Sequence, residues 1–328
     1  MSNVVPALIG GLCLFSASVV AENNELQRLL ENMDQAIENL NYEGTFVHIV
    51  EGKVETMYLV HQVENGKVSE RLSSLDGPGR EIIRNDEETT CIFADQKAVI
   101  VERREDGGPL RSAIPVYSDQ IEQHYEFVML RPVKKMNRDA VVFAIRPKDR
   151  YRFGYKLWMD KATGMPLKSQ MVDLDGKVKE QLLFVSISLP DHIPEAKLKP
   201  TIPADDFTWH VQDQKRRAEE RERSSNWRAS NMPVGFRMTK SKVTVLAGSE
   251  APVDHIVYSD GVASVSVFVE PSGTDDNELD GDSTIGGANA YSTRVKGYDI
   301  TAVGEVPSDT VRMIARSVRA QSPAVAAQ

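Results

Sequence analysis

The sequence predicts a mostly β (α+β) chain in two parts. The first is a large, curled antiparallel sheet with helices, and the second is a smaller antiparallel sheet carrying one helix. Three observations predict this. Residues 141–187 read as strand-length apolar runs separated by turns such as Thr163-Gly164 and Asp175-Gly176, at roughly ten-residue spacing. From Tyr42 to Glu102 the apolar residues keep a period of two. After Pro190 the composition shifts to prolines and then to dense mixed charge, and alternating runs resume near Asn231. A meander of this kind differs from strands alternating with crossover helices, so a parallel sheet is excluded as the main architecture.

In chain order, Val4–Val20 is apolar and ends in Val19-Val20-Ala21, so residues 1–21 are expected to be a secretory signal and the protein periplasmic. Residues 23–41 follow as a helix. Leu26, Leu29, Leu30, Met33, Ile37 and Leu40 form one stripe, and that stripe is expected to pack on the sheet. Strands are expected at 45–50, 55–63, 68–75, 80–85, 89–93 and 98–102. Ser118–Leu130 reads as a second helix capped by Ser118. Four more strands come from Val141–Ile145, Tyr155–Met159, Leu167–Val172 and Val178–Ile187. The domains are thus expected at 22–205 and 231–320, joined by a charged linker at 206–230 and followed by a tail at 321–328. In the second domain, Ile256–Tyr258, Ser259-Asp260-Gly261 and Val262–Glu270 form a hairpin, 290–303 forms another, and 307–319 is a helix capped by Ser308 or Asp309.

Several function classes fall away. The net charge of −9 argues against nucleic-acid binding through bulk charge. The nucleophile-elbow, zinc-protease, phosphate-loop and dinucleotide motifs do not occur, so no enzyme, metal or cofactor is expected. His48 and His61, on neighbouring strands, are a candidate cross-strand pair, but the ordinary reading is two unrelated strand residues. Asp276–Asp282 imitates a calcium loop without its closing Glu, which marks an acidic surface loop. Cys91 is the one cysteine beyond the leader and is expected to be a packed strand residue.

Both faces of the first strands carry apolar residues: Phe46, His48, Val50, Met57, Leu59 and His61 on one, Val47, Ile49, Tyr58 and Val60 on the other. More apolar surface than one core needs implies an unfilled groove for something foreign. Its expected lining is Phe46, His48, Val50, Met57, Leu59, Phe143, Ile145, Leu157 and Met159. Arg146, Lys148, Arg150 and Arg152, interleaved with Tyr151, Phe153 and Tyr155, are the expected anchor for an anionic head group.

The run Arg146–Trp158, then Gly164–Leu167, Tyr258–Glu270 and Gly304–Pro307, resembles the RseB/MucB family over essentially all of the chain after the leader. The resemblance implies a LolA/LolB-like half-open β-barrel as the large domain. It also implies a periplasmic negative regulator of a sigma-E-type stress response. Such a protein binds the periplasmic domain of a RseA/MucA-type anti-sigma factor, shields it from proteolysis, and is released by lipopolysaccharide or mislocalised lipoprotein. A homodimer is a further expectation, and a lipid or lipoprotein carrier of the LolA/LolB type is the alternative.

Overall fold

The computed structural model describes residues 16–104, 108–112, 114–115, 121–211, 225–244, 252–273 and 280–321. The leader ahead of Ser16, most of the charged linker, most of the calcium-like loop and the tail beyond Gln321 lie outside the described residues. Helix α1 (Ser16–Asn39) opens the fold, and the meander follows it as β1 (Tyr42–Val50), β2 (Lys53–Glu64), β3 (Lys67–Ser74), β4 (Arg80–Arg84), β5 (Glu88–Phe93) and β6 (Ala98–Arg103). Two short helical turns, α2 (Pro109–Ser112) and α3 (Ile121–His124), lead to β7 (Tyr125–Lys135), β8 (Arg138–Pro147), β9 (Gly154–Asp160), β10 (Pro166–Val172) and β11 (Val178–Ser188). A parallel strand, β12 (Thr208–Val211), joins β6 at the edge. The order β12-β6-β5-β4-β3-β2-β1-β11-β10-β9-β8-β7 leaves the sheet open, with β7 and β12 at its two edges.

The sheet closes over α1. Leu26, Leu30, Met33 and Ile37 of the helix are buried in one cluster with side chains from β1–β3 and β7–β11. Each such side chain contributes about 2 kcal/mol by leaving water. Gly164, in the β9–β10 turn, has φ of +79° and lies so close to the helix that an added Cβ would stand 2.7 Å from the Asn32 carbonyl oxygen.

Over β2 and β3 the outer face is covered by the chain itself. After β11 the proline-rich segment lays Ile193 and Leu198 on Val60 and Tyr58. It is fixed there by Gln62 donating to the Ile193 carbonyl (3.0 Å) and by a buried cluster in which Arg71 (2.7 Å) and Thr201 (2.5 Å) donate to Glu81. This answers why both faces of β2 are apolar: one meets α1 and the other meets residues 190–203.

Of the helix expected over 118–130, Ser118 and the two residues after it lie outside the described residues; among those described only α3 is helical, and from Tyr125 onward the chain is strand β7. Ile121, Tyr125 and Val128 have helical spacing, but pairing with β8 supplies cross-strand hydrogen bonds and outweighs that weak local preference.

The second domain is a six-stranded antiparallel sheet in the order β14-β15-β16-β19-β18-β17: β14 (Arg237–Thr244), β15 (Val253–Ser259), β16 (Ser264–Pro271), β17 (Gly281–Ile285), β18 (Ala288–Val295) and β19 (Tyr298–Gly304). Helix α4 (Ser308–Ser317) covers it, burying Val311 and Ile314 against Ile256, Val267 and Ile300. β13 (Trp227–Ala229) and β20 (Val318–Ala320) pair as a small ribbon beside it. The N-cap of α4 is Pro307 rather than Ser308 or Asp309; Thr310 N–H donates to the Pro307 carbonyl (2.8 Å), and Asp309 sits in the first turn beside Arg312.

Candidate functional site

The candidate site is the contact between the two domains. Its centre is Arg152, whose side chain is fully buried. The turn between β8 and β9 presents it to the loop before β14 and to the β15–β16 hairpin. Its Nε donates to Asp260 Oδ2 at 2.5 Å, Nη1 meets Asp149, and Nη2 donates to the Val234 carbonyl. The guanidinium lies over Phe236 (5.1 Å to the ring centroid) and Tyr125 (5.9 Å). Tyr125 also donates to Asp260 Oδ2 (3.2 Å), while Asp260 Oδ1 accepts from the Val262 and Ala263 amides at 2.9 and 2.7 Å. Asp260 is therefore a built acceptor, spent on its own hairpin and on the other domain at once.

The electrostatics follow. Burial by itself disfavours the charge on Arg152, but the Asp260 and Asp149 carboxylates outweigh it and raise its pKa. Burial, and then Asp260, push the Tyr125 phenol well up, so it remains a donor. Burial and the Arg152 cation lower His124, so that ring is neutral where it lies against Gly235. Gly235, with φ of +94°, has no room for a Cβ against that ring. Thr310 of α4 adds a hydrogen bond to the Tyr151 carbonyl (2.8 Å).

A second contact lies at the far end of β1. His48 Nε2 is 2.7 Å from Glu180 Oε1, and the β17–β18 turn brings Gly287 against Glu180 and Val50. Glu305 of the second domain is exposed as a residue, yet loss of solvation at its carboxyl and the nearby Glu180 push it up to about 7.

Of the residues expected to line the groove, Phe46, Met57, Leu59, Phe143, Ile145, Leu157 and Met159 are brought together, but as the buried core beneath α1. That core includes Leu26, Leu30, Met33 and Ile37 of α1, the stripe expected to pack on the sheet. His48 and Val50 lie apart from that core, at the domain contact. Among the expected head-group ligands, Arg146, Lys148 and Arg150 are exposed; Lys148 donates to the Glu122 carbonyl (2.6 Å) and Arg150 stacks on Tyr151. Arg152 departs from that set. A fully buried guanidinium already holding two carboxylates is a structural pin, not a solvent-facing anion site.

His48 and His61 do not meet, because the tight turn at Glu51-Gly52 sets a register in which His61 opposes Tyr42 and His48 opposes Glu55. His61 instead stacks on Tyr42 and bonds Glu70 (2.9 Å), which is paired with Arg84. Cys91 is half-buried, and burial raises its thiol. At the end of the calcium-like loop, Asp280 meets Tyr291 and Asp282 meets Arg312.

Sequence reasoning missed Asp260, Gly235 and Glu305. Asp260 stood in view only as a turn residue, and the one hint was an acid in a hairpin whose flanking strands are otherwise apolar.

Comparison with known proteins places this two-domain arrangement. The MucB/RseB N-terminal domain model matches residues 25–202, and the MucB/RseB C-terminal domain model matches residues 221–319. The sigma factor AlgU regulatory protein MucB of Pseudomonas aeruginosa is 31% identical over 328 residues, covering 97% of each chain. The sigma-E factor regulatory protein RseB of Escherichia coli K12 is 26% identical over 334 residues, covering 95% of this chain and 96% of its own. Among solved structures, MucB in complex with MucA(peri) aligns with a TM-score of 0.70 at 27% identity, over 90% of this chain and 99% of that one. The Pseudomonas aeruginosa MucA/MucB complex aligns with a TM-score of 0.71 at 29% identity, over 91% and 100%.

Proposed function

The chain belongs to the MucB/RseB family, and from that premise we propose that it is a periplasmic regulator of an envelope-stress sigma factor, binding the periplasmic part of a MucA/RseA-type anti-sigma factor and shielding it from proteolysis. The observation that carries this reading is the likeness, across both domains at once, to MucB in its complex with MucA(peri). A simple carrier of acylated cargo would not need the second domain, which in the carrier reading serves as a docking module.

Release by an acylated ligand has a physical route. An acyl chain that reached Phe46, Leu59 or Leu157 would displace part of α1, because those side chains lie under it. Tyr125 belongs to that same core and also donates to Asp260, and Val262 of the second domain packs against the core. A core opened by lipid would thus loosen the domain contact, which is a coupling between two sites.

The test is calorimetric titration of the full chain with an anti-sigma periplasmic segment, with and without saturating lipopolysaccharide. The expected result is binding that weakens by about tenfold or more, a coupling of at least ~1.4 kcal/mol. No binding in either condition would reject the regulator. Unchanged affinity would reject release through lipid, and transfer of acylated cargo between vesicles without segment binding would favour the carrier.

A further inference from the structure

The outer face of β7–β10, away from both domain contacts, carries a feature that the regulatory reading does not use. Trp158 projects from this face in register with Val142 on β8 and Lys168 on β10. Lys168 Nζ stands 4.6 Å from the centroid of its ring and Lys156 Nζ 4.9 Å. Two ammonium groups share one indole. Burial, together with Lys135 and Lys156, lowers the pKa of Lys168, so these cations crowd one another. None of the three lysines pairs with a carboxylate among the described residues. A like-charge cluster costs free energy unless an anion relieves it, and here it sits on a chain of net charge −9.

Apolar surface adjoins the cations. Val133 of the edge strand, opposite Ala140 and so on the Trp158 side of the sheet, is 42% exposed. With Leu130 and Val142 it lines a shallow cavity of about 440 Å³, whose lining also includes Lys161 and the paired Lys134 and Asp139. We propose that this face is a docking surface for an anionic lipid bilayer: Lys156 and Lys168 meet phosphate head groups while Trp158, Leu130 and Val133 enter the interfacial layer.

Charge complementarity alone would also suit an acidic peptide. The lipid surface is favoured because β8, β9 and β10, which carry Trp158, Lys156 and Lys168, are each paired on both sides, so their backbone groups are spent in the ladder and free backbone lies only at the β7 edge, to one side of the cations. An extended peptide laid over Trp158 and its lysines would find side chains only, whereas a bilayer needs no more than cations, an amphipathic ring and exposed aliphatic groups.

The experiment is sedimentation of the full chain with vesicles of phosphatidylcholine, alone or with about one-third phosphatidylglycerol. Binding is expected only to the anionic vesicles. Lys156→Gln/Lys168→Gln should weaken it roughly 20- to 30-fold, each lysine near such a surface being worth about fivefold. Trp158→Phe should abolish the lipid-induced blue shift of the emission that the native chain gives. The control Lys53→Gln/Lys67→Gln removes the same charge from exposed sites elsewhere and should leave binding within about twofold of native if the patch, not net charge, is responsible. Circular dichroism of each variant guards against misfolding. Equal binding to both vesicles, equal loss in the control variant, or preferential binding of soluble polyglutamate or inorganic phosphate over vesicles would each overturn the proposal. The readout involves no anti-sigma segment, so failure here and failure of the regulator reading are distinguishable.

Discussion

Arg152 shows how one side chain changes meaning with its surroundings. In the sequence it is one of four cations in a loop that suits phosphate. In the fold it is sealed from water between two domains, with Asp260, Asp149 and a carbonyl each taking a hydrogen bond from one of its three nitrogens and two rings close to the guanidinium. Removing one partner of a buried ion pair strands the other, at about 3–5 kcal/mol. Asp260→Ala is therefore expected to lower stability by that order in denaturant unfolding, and Arg150→Ala, an exposed neighbour, by under about 0.5 kcal/mol. The His48, Glu180 and Glu305 group predicts a pH dependence. Glu305 is raised from 4.5 to about 7 in the folded chain, so its contribution is complete below the ordinary carboxylate range and is lost as pH rises toward the raised value. His48 is raised above 6.5, chiefly by its hydrogen bond to Glu180, and its contribution is likewise lost as pH rises. Both signs agree: the contact weakens as pH rises from about 4.5 to about 7 through Glu305 and further, above 6.5, through His48. Because Glu305 is exposed as a residue, solvent screening keeps its part to about 1 kcal/mol or less. Glu305→Gln should flatten the slope seen in unfolding at the two pH values, and an unchanged slope would reject this assignment.

Helix α1 is the element on which the large domain depends. Its apolar stripe is legible from spacing alone, and so is its role as a cover for the sheet. Its exact seat is not, because Gly164 is 125 or more residues away along the chain from any of Leu26, Leu30, Met33 or Ile37, and only the fold brings the β9–β10 turn under the helix. Gly164→Ala combines a strained φ with a collision on backbone, and should cost about 1–3 kcal/mol in thermal unfolding. Met33→Ala, at 1% exposure, should cost about 2–5 kcal/mol by opening a cavity. The misread helix at 118–130 is the reverse case. Its apolar spacing fits both periods, and what makes Tyr125–Lys135 a strand is a partner, β8, that lies later in the chain.

Across the two domains, the contact is polar and held at two ends. One end is the Arg152 pin and the other is the His48–Glu180 contact with the β17–β18 turn. Interfaces between domains of this polar kind open readily unless pinned. Asp260→Asn keeps the shape and removes the charge. It is expected to split calorimetric unfolding into two transitions, one per domain, where the native chain shows stronger coupling. A single unshifted transition would mean that the pin contributes nothing to holding the domains together.

The sequence by itself determined the alternation that makes strands β1–β6 and β8–β11, the amphipathic stripe of α1 and the paired small sheet with its closing helix. These are periodic features, set by neighbours a few residues apart. It also carried the family resemblance. What covers each apolar face was settled only by the folded chain. α1 packs over the concave side, residues 190–203 cover Tyr58 and Val60 on the opposite face, and Arg152 turns inward. The reason is that an excess of apolar positions reports how much surface must be hidden, but not which distant segment hides it. That depends on contacts between residues a hundred or more positions apart, and no local pattern records them.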